Sequence, residues 1–146
     1  MSDTQQVKKS YFTTGQMRNA LLQIEDQMVH SGWMPDIILG INRGGCIPGV
    51  YLSHRLKKPH EVVDVRLRDH ATKPNLSVLE KAFAFQKKIL VIDDINDTGE
   101  TFKFIDDNFG RENGRIKFAA LVNNKPSKTL IDYKGYETNK DEVPTW

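Results

Sequence analysis

KILVIDDINDTGET, residues 88–101, is the stretch on which the fold turns. The apolar residues Ile89 to Ile92 run straight into Asp93, Asp94 and Asp97, and then into Thr98, Gly99 and Thr101. KILVIDD (88–94) reads as a strand, the clearest in the chain. Behind it, TFKFIDDNF (101–109) spaces Phe102, Ile105 and Phe109 for one face of a helix. A strand that turns directly into a helix leaves backbone N–H groups unpaired at the helix start. With the helix dipole behind them, these groups suit an anion such as phosphate. Gly99 removes a side chain where backbone and anion must approach closely, and Thr98 and Thr101 add hydroxyl donors. The aspartates repel one another unless something binds between them. Beside a phosphate they make sense facing sugar hydroxyls, or a magnesium ion bridging to a second phosphate.

Outward from this stretch the chain keeps alternating strand and helix. Met17, Leu21, Ile24 and Met28 recur at helical spacing over 15–31, with Thr13 or Thr14 as the cap and Gly32 as the stop. DIILGI (36–41) reads as a buried strand and 46–57 as a second helix. EVVDVRL (61–67) is strand-like, and RDHATKPNLS (68–77), polar and carrying Pro74, reads as a mobile loop. IKFAALV (116–122) and IDYKGYE (131–137) supply further strands. This alternation predicts an α/β fold, a parallel sheet covered by helices on both sides, with ligands at the carboxyl ends of its strands.

A length of 146 residues suits one domain with a real core, and 38% hydrophobic and 27% charged residues are ordinary for a globular chain. The net charge of +2 argues against extended nucleic-acid binding. One cysteine, Cys46, excludes an internal disulfide framework and fits a reducing cytoplasm; it reads as a small buried side chain, not a nucleophile. The sequence shows neither a membrane-length apolar run nor the apolar stretch of a signal peptide, so a soluble cytoplasmic protein is expected. With no HxxxH or CxxC pair, a zinc site is not expected.

VIDDINDTGET resembles the motif with which type I phosphoribosyltransferases bind 5-phosphoribosyl 1-diphosphate (PRPP): an apolar strand, two acidic residues, two spacers and Asp-Thr-Gly-x-Thr. GINRGGCIPG (40–49) is similar to the family's Arg-Gly-Gly pyrophosphate loop, where a non-proline cis peptide is common, and it lies at the matching distance upstream. Within the family the chain looks most like the bacterial xanthine-guanine enzymes, through RGGCIPG, VNNKPSK (122–128) and the ending DEVPTW. The resemblance implies a single domain over 1–146, with a core at about 32–125 and a small hood from about 1–14 and 126–146. It implies transfer of a phosphoribosyl group from PRPP to N9 of a 6-oxopurine in purine salvage, with Mg2+ and with a dimer or tetramer of the chain. Arg43, Gly44 and Gly45 would hold pyrophosphate. Asp93 and Asp94 would hold the ribose hydroxyls, Asp94 being the residue nearer the metal. Asp97, Thr98, Gly99, Glu100 and Thr101 would hold the 5-phosphate, and Asp97 would also serve as the catalytic proton acceptor. Lys125 would contact the purine 6-oxygen and Trp146 would stack on the ring.

Two positions depart from the family pattern. Asn42 stands where a serine is common, and Glu100 where a small residue is common; the glutamate would have to point outward. Relatives also continue past the tryptophan with a segment that completes the base pocket, whereas Trp146 is the last residue given. Simpler readings exist for each feature. Acidic residues after a strand form solvated turns, and DDIND also matches the DDxxD of prenyl-transferring enzymes, which lies on a helix. A phosphoribosyltransferase for another base, or a PRPP-sensing or RNA-binding regulator with basic residues at 111–117 and 125–128, are the competing functions.

Overall fold

The computed structural model describes residues 13–65, 76–110, 114–124 and 130–138. Its first element, α1 (Thr14–Ser31), starts at a reciprocal cap: the Thr13 hydroxyl accepts from the Gln16 N–H, while the Gln16 side chain accepts from the Thr13 N–H. It stops at Gly32, whose φ of +74° is a left-handed conformation open to glycine. The elements that follow are β1 (Ile37–Asn42), α2 (Cys46–Leu56), β2 (His60–Asp64), α3 (Ser77–Ala84), β3 (Ile89–Asn96), α4 (Glu100–Phe109), β4 (Ile116–Asn124) and β5 (Tyr133–Thr138). All neighbouring strands run parallel, in the order β2-β1-β3-β4-β5.

Two apolar layers sandwich this sheet. Ala20, Leu21, Ile24 and Met28 of α1 and Leu52 of α2 pack with Ile38, Leu90, Ile92 and Leu121 on one face. Leu79 and Ala82 of α3 and Phe102 and Ile105 of α4 pack with Leu39, Val91, Phe118 and Ala120 on the other. Strands with helices on both faces are largely apolar, which is why β1, β3 and β4 are built on the apolar runs 37–41, 89–92 and 118–122. Phe102 and Phe118 stack with ring centres 4.7 Å apart. Beneath α2, the His60 ring fills the space left by two glycines: a Cβ on Gly49 would stand 2.4 Å from its Nε2, and one on Gly40 2.8 Å.

The expected parallel sheet covered on both faces is present, with two differences. Residues 77–84 form α3, a helix the sequence reading did not anticipate, beginning at the end of the expected loop. Residues 68–75 of that loop, like 66 and 67, lie outside the described residues. β3 runs two residues past the expected end at Asp94, to Asn96, and the turn narrows to Asp97–Gly99. The cause is continued pairing with β4, where Asp93, Ile95 and Asn96 lie opposite Ala120, Val122 and Asn123. β5 (133–138) is the strand expected at 131–137, and it pairs with β4 at the edge of the sheet.

Candidate functional site

The strand order turns back on itself between β1 and β3. The chain leaves β1 through α2 on one face and leaves β3 through α4 on the other, so a crevice opens between the two strand ends. The register shows how it opens. β1 pairs with β3 only as far as Gly40 opposite Ile92, while β1 stays with β2 as far as Asn42 opposite Asp64. Residues 43–45 fill the gap. A Cβ on Gly45 would lie 2.1 Å from the Ile92 carbonyl oxygen and 2.6 Å from the Ile41 nitrogen. A Cβ on Gly44 would lie 2.3 Å from the Asp94 carboxylate. Both glycines are therefore required by close approach, Gly45 to backbone and Gly44 to an acid. The Asn42–Arg43 peptide preceding them is cis, as in the resembled loop.

A cavity of about 460 Å³ lies here, lined by Arg43, Gly44, Asp94 and Leu121, with Thr13, Thr14 and Met17 contributed by the start of α1. On the β3 side, the Asp94 N–H donates to Asp93 Oδ1 at 2.8 Å and the Ile95 N–H donates to Asp94 Oδ1 at 2.7 Å. Burial, and then the neighbouring Asp94 charge, push the Asp93 carboxyl well above the usual carboxylate range. A cation between the two acids would reverse that shift. Farther along, Gly99 has φ +87° and caps α4 without a side-chain bond, so the helix begins directly beyond the carboxyl end of β3. The Glu100 N–H reaches the Thr98 hydroxyl at 3.4 Å, and the Glu100 side chain is exposed, pointing outward as its charge demands.

Asp97 is exposed, and the Asn124 side-chain amide donates to its Oδ1 at 2.8 Å. Asn96, Asn123 and Asn124 are all buried at these strand ends, and the Asn96 amide donates to Asn123 Oδ1 at 2.8 Å. The sequence reading passed over all three. Their mark was available: amides placed where the rest of each strand is apolar. Cys46 is half-buried, less enclosed than expected, with its thiol 3.6 Å from Asn42 Oδ1. Burial raises its pKa, followed by the Asp64 and Asp93 charges, which leaves it a poor nucleophile. Lys125 and Trp146 lie outside the described residues. The structure thus brings Arg43, Gly44 and Asp94 onto one cavity and sets Asp97 to Thr101 at the adjoining strand-to-helix corner. Among the described residues no three His, Cys, Asp or Glu side chains cluster as a metal cage, and no helix is long and apolar enough to cross a membrane.

Sheet order, flanking layers and a crevice at the turning point define an open, doubly wound α/β protein. The model of the phosphoribosyl transferase domain matches residues 9–146, and the chain belongs to that family. A purine phosphoribosyltransferase from Pyrococcus horikoshii Ot3 is similar at 27% identity and a TM-score of 0.71, over 95% of this chain and 94% of that one. A hypothetical protein from Neisseria gonorrhoeae with bound ppGpp has a TM-score of 0.69 at 19% identity, over 94% and 84% of the two chains. The xanthine-guanine-hypoxanthine phosphoribosyltransferase of Helicobacter pylori has a TM-score of 0.67 at 14% identity, over 92% and 89%. With the latter two the likeness is one of fold.

Proposed function

We propose that this protein transfers the 5-phosphoribosyl group of PRPP to N9 of a 6-oxopurine (guanine, xanthine or hypoxanthine) and releases pyrophosphate. The observation that carries the reading is the meeting, at the β1/β3 crevice, of the Arg43–Gly45 loop with Asp94 of β3, the strand that leads through Asp97–Gly99 into α4. PRPP carries a phosphate at one end of its ribose and a diphosphate at the other. The corner at Asp97 to Thr101 offers N–H and hydroxyl donors to the 5-phosphate. Asp93 and Asp94 accept from the ribose hydroxyls in the middle. The guanidinium of Arg43 and the backbone of Gly44 and Gly45 take the diphosphate.

Such a transfer develops positive charge on the ribose ring and negative charge on the departing diphosphate, so alignment and charge neutralisation supply the catalysis. Asp97 accepts the purine proton as N9 attacks. Lys125 donates to the 6-oxygen and Trp146 stacks on the base. A donor set of one or two carboxylates beside a polyphosphate suits Mg2+, which keeps waters and takes substrate oxygens in preference to an all-protein cage. Asp94 is the residue to hold it, and its chemistry there is charge neutralisation of the diphosphate.

Pyrophosphate release from PRPP and magnesium, measured with each of guanine, xanthine, hypoxanthine, adenine, uracil and orotate, tests the reading. Turnover confined to 6-oxopurines is the expected result. Turnover with adenine, uracil or orotate alone would overturn the choice of base, and release with no base at all would overturn the transfer.

A further inference from the structure

We infer that Asn124 is a positioning residue for Asp97, orienting the carboxylate that takes the purine proton; the inference rests on that reading of Asp97. Asn124 ends β4 and is 3% exposed. Its amide nitrogen donates to Asp97 Oδ1 at 2.8 Å and approaches the Asp97 backbone carbonyl at 3.4 Å. Its own oxygen is buried with no partner among the described residues. Burying an amide with its acceptor unpaired is costly, and a leucine of similar size would avoid that cost at a buried strand end. Strand stability does not explain the asparagine. The pair of contacts to one residue does.

Asp97 needs such help. It stands exposed in a three-residue turn, where nothing in the backbone selects one rotamer of a short acid. The preceding residue is already pinned, because Asn96 donates to Asn123 across the same two strands. Asn124 extends that clamp by one position, from strand to turn, and changes its partner from an amide to a carboxylate. With Oδ1 held by the amide, Oδ2 is the oxygen presented for proton transfer.

The test is a kinetic double-mutant cycle on the full chain with PRPP, magnesium and the preferred purine. Asn124→Leu is expected to lower kcat about tenfold and to change KM for PRPP less than about twofold, as for a contact that matters only once the reacting groups are aligned. In an Asp97→Asn background the same substitution should cost less than about twofold, since the group it positions has lost its task. Asn124→Asp, the same shape without the donor, serves beside it as a second variant and should lower kcat at least as far. The double substitution Asp97→Asn/Asn124→Asp rebuilds the hydrogen bond with the roles exchanged, so it should restore the thermal midpoint but not turnover. A further tenfold loss in the Asp97→Asn background would show Asn124 acting independently, and parental kcat in both single variants would show it idle; either result overturns the inference while leaving Asp97 in place. Full turnover in Asp97→Asn alone removes the reading of Asp97 and this inference with it.

Discussion

Replacing Gly44 by alanine adds one methyl group at the narrowest point of the crevice. Built on the present backbone, its carbon stands 2.3 Å from Asp94 Cγ and Oδ2 and 2.4 Å from Oδ1. Ordinary van der Waals contact needs about 3.5 Å, so loop and carboxylate must part by roughly 1 Å. The acid cannot swing aside at no cost, because Oδ1 accepts from the Ile95 N–H at 2.7 Å. Losing that bond costs about 1 kcal/mol, or roughly 2–5 °C in thermal midpoint for a chain of this size. A misplacement of ~1 Å between groups that must hold one substrate costs about 10²-fold in rate. Gly44→Ala should therefore lower kcat/KM for PRPP about 100-fold while melting only a few degrees early. Gly45→Ala is the contrast: its methyl would meet the Ile92 carbonyl oxygen at 2.1 Å and the Ile41 nitrogen at 2.6 Å, both backbone, so the fold itself should suffer. Pyrophosphate release and scanning fluorimetry on the two variants measure both effects. Parental kcat/KM in Gly44→Ala would refute the reasoning, and so would equal collapse of both melting points.

Other expectations concern the fold and the base. His60 has a buried Nε2 with no partner among the described residues, and burial lowers its pKa, opposed only by Glu61. The unfolded imidazole, ordinary near 6.5, then takes the proton first, so His60's contribution is complete above about pH 6.5 and declines as pH falls toward the folded pKa. Urea unfolding of the wild type and His60→Gln between about pH 5 and 8 should show their stabilities converging on the acid side; a constant difference contradicts this. Phe102→Ala removes a ring that is 1% exposed and stacked on Phe118, and should cost about 3–5 kcal/mol by urea unfolding. A loss under about 1 kcal/mol would mean that α4 is not anchored by this face. Lys125→Ala should weaken 6-oxopurine binding about 10- to 100-fold, the worth of one charge-assisted hydrogen bond, with PRPP binding unchanged. Equal weakening of both would contradict the assignment of Lys125 to the base.

The layered fold was legible because the central strands β1, β3 and β4 are built on apolar runs, and such runs separated by helical spacing allow few other architectures. The caps were equally plain: Thr13 with Gln16 three residues on, and Gly32 after the last apolar turn. α3 was hidden because it lacks such markers. Leu76 stands at its N-cap, no side chain caps it, and it is only eight residues long. Leu79, Ala82 and Phe83 nonetheless carry helical spacing. The extra residues of β3 escaped for a different reason. Asparagine is a poor strand former and Ile95 stands alone between polar residues, so only pairing of Ile95 and Asn96 with β4 carries the strand past Asp94. At the site, the acidic stretch and the Arg-Gly-Gly loop could be found as separate strings. Their contact could not, because it depends on where β1 parts from β3. The asparagines could be seen as amides beside apolar runs, but their partners could not, because an amide in a strand declares its partner only when the neighbouring strand is known.

Gly45 acts as a wedge driven between two strands of one sheet. Its seat is made of main-chain atoms of Ile41 and Ile92, whose side chains belong to the hydrophobic interior. The spacing at the mouth is consequently governed from below, by how tightly the buried parts of β1 and β3 are knitted together. Anyone wishing to enlarge the opening for a bulkier substrate would gain more from repacking those interior isoleucines than from lengthening the rim.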